Sequence, residues 1–125
     1  MKRIRIAGVL AALALSSVAQ GPSGGETAAP VVLRGEVVDL HCYITRGAKG
    51  PDHAACGNAC VSRGVSPGFL AEDGTLYVLL AEKPFSAKDA VANLVGAAVT
   101  ARGRVVERGG VKALQLASVE RRSAS

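Results

Sequence analysis

Two tight-turn signals, Asp73-Gly74 and Arg108-Gly109-Gly110, each lie between apolar runs, and together they constrain the fold more than any other feature. A turn of two or three residues joins antiparallel strands and leaves no room for a crossover. GFLAEDGTLYVLLAE therefore reads as one hairpin and AAVTARGRVVERGGVKALQLASVE as a second. In the second, Val99, Ala101, Gly103 and Val105 alternate with Thr100, Arg102 and Arg104, while Ala113, Leu114, Leu116 and Val119 return along the other arm. Upstream, VVLRGEVVDLHCYI reads as another strand, with Gly35 marking a bend or bulge of the kind found where one strand serves two sheets.

Two short helices punctuate these strands. Residues 52–63 follow Pro51 and end before Gly64, as a helix start and stop should. Gly57 in the middle works against that helix by about 1 kcal/mol. Residues 86–95 form the second, capped by Ser86, with Ala90, Val91, Leu94 and Val95 as its buried face. Five strands with a helix between the third and fourth is the order of an OB-fold, a small Greek-key barrel.

The N-terminus carries an export signal. Lys2, Arg3 and Arg5 precede an apolar run over residues 6–15, and Ser17-Val18-Ala19 supplies small residues for cleavage after Ala19. The run is too short for a membrane span, which needs about 20 apolar residues. No cysteine follows it to take a lipid, and the adjacent arginines of a twin-arginine signal are absent, so no stable membrane anchor is expected. Residues 20–30 read as a flexible leader, 31–120 as the folded domain and 121–125 as a disordered polar tail.

Cleavage also changes the charge. Three of the fifteen Lys and Arg leave with residues 1–19 and all ten Asp and Glu remain, so twelve cations against ten anions reduce the net charge from +5 to +2. This mild balance argues little for nucleic acid. Arg102, Arg104, Arg108 and Lys112 do make a basic hairpin, but Tyr43, Phe69, Tyr77 and Phe85 are too scattered to stack bases along it. The expected partner is a protein or small ligand, in the periplasm or outside the cell.

All three cysteines and both histidines fall within residues 41–60. On a helix beginning near Asp52, His53, Cys56 and Cys60 stand at i, i+3 and i+7, on one face. Cys42, near the end of the first strand, can meet that face from the barrel. Three thiolates and an imidazole make a Cys₃His set for structural zinc, and the same soft ligands suit Cu(I). His41 points away from Cys42 along the strand. Asp39 is placed to orient His53 or the loop as an acceptor behind the ligands. The alternative is a disulfide, since exported cysteines pair by default. Cys42 joined to Cys56 or Cys60 would staple the helix to the barrel and leave one thiol over, in a binding module without metal.

The second half, LVGAAVTARGRVVERGGVKALQLASVE, resembles the closing half of bacterial OB-fold domains. The first half resembles exported bacterial proteins with this barrel that carry D-x-x-C, then H-x-x-C-x-x-x-C, then a D-G hairpin ending in L-Y. Asp39 and Cys42, His53, Cys56 and Cys60, Asp73-Gly74 and Leu76-Tyr77 match position by position. That resemblance implies the barrel over about residues 31–120 and names no reaction.

Catalysis is not expected. Cys56 in an early helical turn with His53 as base is a conceivable nucleophile. There is, however, no C-x-x-C for thiol exchange, no C-x-x-C-H for haem, no converging carboxylate pair and no phosphate-cradling glycine loop.

Overall fold

The computed structural model describes residues 28–82 and 87–123. The expected export signal, most of the expected leader, the expected helix cap Ser86 and the last two residues lie outside these. The elements run β1 (Pro30–Asp39), α1 (Leu40–Arg46), a 3₁₀ turn (Pro51–His53), α2 (Ala54–Ser62), β2 (Pro67–Ala71), β3 (Leu76–Ala81), α3 (Ala87–Ala90), β4 (Ala98–Arg108) and β5 (Val111–Arg121).

The strands close into a five-stranded barrel in the order β1-β2-β3-β5-β4. Every pairing is antiparallel except β3 with β5, whose parallel contact closes the ring. This is an OB-like Greek-key barrel, with a helical insertion after β1 and a short helix between β3 and β4.

β1 serves both sides of the barrel. Its residues 30–36 pair with β4 and 35–39 pair with β2, so Gly35 and Glu36 belong to both ladders. Gly35 is required here because a Cβ would run into the Leu70 carbonyl oxygen and the Ala71 Cα. Gly103 on β4 meets the Gln115 carbonyl in the same way, next to a register shift that leaves Ala117 of β5 unpaired. That shift explains why the inward residues of β5 run Leu114, Leu116 and then Val119, since one extra residue flips the alternation.

Val37, Phe69, Leu79, Val91, Val99, Ala101 and Leu114 fill the barrel, each 3% exposed or less. Phe69 pairs directly with Tyr77 across β2 and β3, their ring centroids 6.4 Å apart. β2 is buried along its whole length, because Leu40 of the insertion lies over Gly68 on its outer side. α3 is a single turn, Ala87–Ala90, shorter than the helix expected over residues 86–95. Val91 and Val95 are buried beyond it, Val95 bridging Val37, and Leu94 is half-buried. Ala90 is exposed, and Ala87 takes the inward place instead.

The first strand is shorter than the sequence suggests. It ends at Asp39, and residues 40–46 turn into α1, so Cys42 stands in a helix rather than on the strand. Asp39 caps α1 by accepting the Cys42 N–H at 3.0 Å. Gly47, at φ 68°, ends it with an αL cap, Gly47 N–H to Tyr43 O, and Ala48 N–H adds a bond to Cys42 O. At the other end of the domain, β5 includes Arg121, where the sequence reading begins the tail. Arg122 adds a backbone bond to Ala98 and an ion pair with Glu72.

Candidate metal centre

α1 and α2 meet over the end of β1. Asn58 of α2 holds Val95 at both backbone groups, donating to its carbonyl at 3.2 Å and accepting its N–H at 3.1 Å. Gly57 permits this contact, since a Cβ there would strike Val95 Cγ1. The mid-helix glycine that weakens the helix on paper is the residue that lets it dock. Glu36 secures the connecting loop by accepting the Gly50 N–H at 2.9 Å. α2 then ends in a Schellman pair, Gly64 N–H to Val61 O and Val65 N–H to Cys60 O.

This docking brings one ligand atom each from Asp39, Cys42 and Cys60 within 4.8 Å of one another. They come from the end of β1, the first turn of α1 and the last turns of α2. Asp39 is 0% and Cys42 3% exposed, and Cys60 is half-buried. All three cysteines are free thiols.

Of the four ligands expected from sequence, Cys42 and Cys60 lie in this group. Cys56 is exposed, one helical turn before Cys60 and interacting with its thiol, and stands outside the group. His53 sits behind it, with Nε2 3.8 Å from Asp39 Oδ2. The group thus contains Asp39, expected from sequence behind the ligands, and leaves His53, expected as a ligand, behind it. His41 is exposed on α1.

The electrostatics describe a site short of positive charge. Burial raises the Asp39 carboxyl, but the Cys42 N–H and the facing thiols of Cys42 and Cys60 outweigh it and hold its pKa below the usual carboxylate value. Burial and the neighbouring Asp39 carboxylate, with a smaller part from Cys56, push the Cys60 thiol up to about 11. Asp39 Oδ2 and His53 Nε2 are both buried without a hydrogen-bond partner. Arg46 donates from Nη2 to Cys42 Sγ at 2.7 Å, and this contact raises the pKa of the guanidinium.

α1 is the element the sequence reading missed. Its signal was legible as Asp39 at an N-cap, Arg46 in the last turn and Gly47 just beyond. Tyr43, Ile44 and Thr45 favour a strand, but the caps prevailed over those side chains.

Five surface clefts of about 190 to 390 Å³ are lined by residues other than Asp39, Cys42, Cys56 and Cys60. Among the described residues, no helix is long and apolar enough to cross a membrane. No protein-family model, curated protein or solved structure matches the chain.

Proposed function

We propose that this is an exported metal-binding module in which Asp39, Cys42 and Cys60 hold a divalent ion of the zinc class. One observation carries the reading: three groups that ligate as anions converge from three elements, and Asp39 Oδ2 is buried among them without a donor. Leaving such an atom unsatisfied costs about 1–3 kcal/mol, more for a charged group. A cation would supply the missing partner and would favour the Cys60 thiolate against the burial and the neighbouring carboxylate that raise its pKa.

Charge and ligand type favour zinc over Cu(I). A carboxylate and two thiolates around a divalent ion leave one net negative charge, and Arg46 at Cys42 Sγ offsets it. Around Cu(I) the same set leaves two, and the oxygen ligand suits that softer ion poorly. His53, facing the second Asp39 oxygen, would orient the carboxylate from behind. Three protein ligands leave a tetrahedral ion one further position. Export is proposed from residues 1–19.

The test is metal content. Protein purified anaerobically from the cell envelope should carry about one zinc ion per chain and yield three thiols once denatured and stripped of metal. Cys42→Ser and Cys60→Ser should each weaken binding about 10–100-fold or more. Metal-free protein with a Cys42–Cys60 disulfide, both in native envelope and after reductant-free purification, would overturn the proposal. The domain would then be a stapled module that binds a protein or small ligand by its barrel face.

A further inference from the structure

The sulfurs around the candidate centre are graded from the interior to the surface. Cys42 is 3% exposed, Cys60 is half-buried and Cys56 is exposed. Cys56 and Cys60 lie four residues apart on α2, the spacing that puts two side chains on one helix face, and their thiols interact. Asp39, 0% exposed and with Oδ2 unpartnered, stands at the inner end. Cys56 lies outside the three-residue group and so is not needed to enclose an ion there.

From this arrangement we infer that Cys56 is the entry and exit ligand of the site, and that the module exchanges its ion with thiol-bearing metal carriers through Cys56. The inference rests on the metal reading above. A divalent ion cannot reach Asp39 directly without shedding its water or previous ligands before any protein bond replaces them, and such desolvation is expensive. Cys56 offers the first bond while the ion is still partly solvated or still held by its carrier.

The exchange conserves charge and protons. The Cys56 thiol gives its proton to solvent as its sulfur bonds the ion and one carrier sulfur leaves, taking up a proton. Cys60 and then Cys42 lose their protons as they bond the ion, and the carrier's second sulfur leaves the ion and takes up a proton, so two protons released by the protein match two taken up by the carrier. Cys56 regains a proton as it departs. The metal keeps its oxidation state throughout, and no other reactant is required. Arg46, bonded to Cys42 Sγ, stands ready to balance the thiolate formed at the inner end.

The experiment uses Cd(II) as probe, with the reduced mature chain and its thiolate-to-metal ultraviolet absorption as signal. Loading from a Cd(II)–glutathione complex and release to a chelator are followed by stopped flow. Cys56→Ser should slow both directions by about tenfold while changing the equilibrium affinity by less than about threefold, because it acts on the barrier alone. Cys60→Ser, in contrast, should weaken affinity itself. If Cys56→Ser weakens affinity as much as Cys60→Ser does, Cys56 is a resident ligand and the inference falls. If loading and release are both unchanged, Cys56 is a bystander and the inference falls while the metal reading stands. If the wild-type chain takes up no stoichiometric Cd(II), the metal reading fails and takes the inference with it.

Discussion

Asp39 divides its carboxylate between two tasks. Oδ1 caps α1 by accepting the Cys42 N–H, while Oδ2 faces His53 without a hydrogen bond. Asp39→Asn keeps a capping oxygen but removes the charge. It should lower Cd(II) or zinc affinity about 10–100-fold, measured by competition with a chelator, while α1 amides stay protected from exchange. Asp39→Ala should lose the cap as well, at about 1 kcal/mol of stability. Gly57 presents a case in which local propensity and packing oppose each other. Gly57→Ala should gain about 1 kcal/mol from helix propensity. The new Cβ, however, meets Val95 Cγ1 and crowds the His53 ring. The clash should win, giving a net loss of about 1–3 kcal/mol in denaturant unfolding. A rise in stability would mean that α2 does not dock as closely as described.

Two polar side chains illustrate how segments are held in place. Asn58 ties α2 to the barrel through both backbone groups of Val95. Asn58→Ala leaves those groups without partners and should cost about 1–3 kcal/mol, with faster amide exchange at Val95 and weaker metal binding together. At the β2–β3 turn, the Asp73 carboxylate accepts the Thr75 N–H at 2.9 Å, and this bond holds its pKa below the ordinary 3.8. A carboxyl depressed on folding stabilises the protein above its unfolded pKa, and the benefit is lost as pH falls through the folded value. Asp73→Ala should therefore lower the melting temperature at neutral pH. The gap to wild type should close on acidification below about pH 3.8, as thermal melts across pH will reveal.

Barrel closure depends on places where backbones approach too closely for any side chain. Gly35 is shared between two ladders and Gly103 faces the shifted register of β5. Gly35→Val would drive a branched side chain into the Leu70 carbonyl and should cost about 3 kcal/mol or more, or abolish soluble expression. A variant that melted like wild type would contradict the closed ring. The insertion is joined to this ring through Asn58, Glu36 and the packing of Leu40 over Gly68. Barrel stability and site geometry should accordingly fall together in Gly35→Val.

The sequence by itself determined the pieces whose causes are local. The Asp73-Gly74 and Gly109-Gly110 turns specify their hairpins because a tight turn fixes its own strands, and the alternation of Val99, Ala101, Gly103 and Val105 specifies which side faces inward. Residues 54–62 form a helix as the sequence implies, carrying Cys56 and Cys60, while His53 stands in the 3₁₀ turn before it. What lay beyond the sequence depended on contacts between distant segments. Whether residues 40–46 continue the strand or turn into a helix depends on Asp39 finding the Cys42 N–H and on Leu40 finding Gly68. Whether Asp39 or His53 stands beside Cys42 and Cys60 depends on how far α2 slides along Val95, which Gly57 and Asn58 set from the far side of the helix. Ligand types can be listed from a sequence, but three side chains from three elements form a site only once tertiary packing has fixed the distances between them.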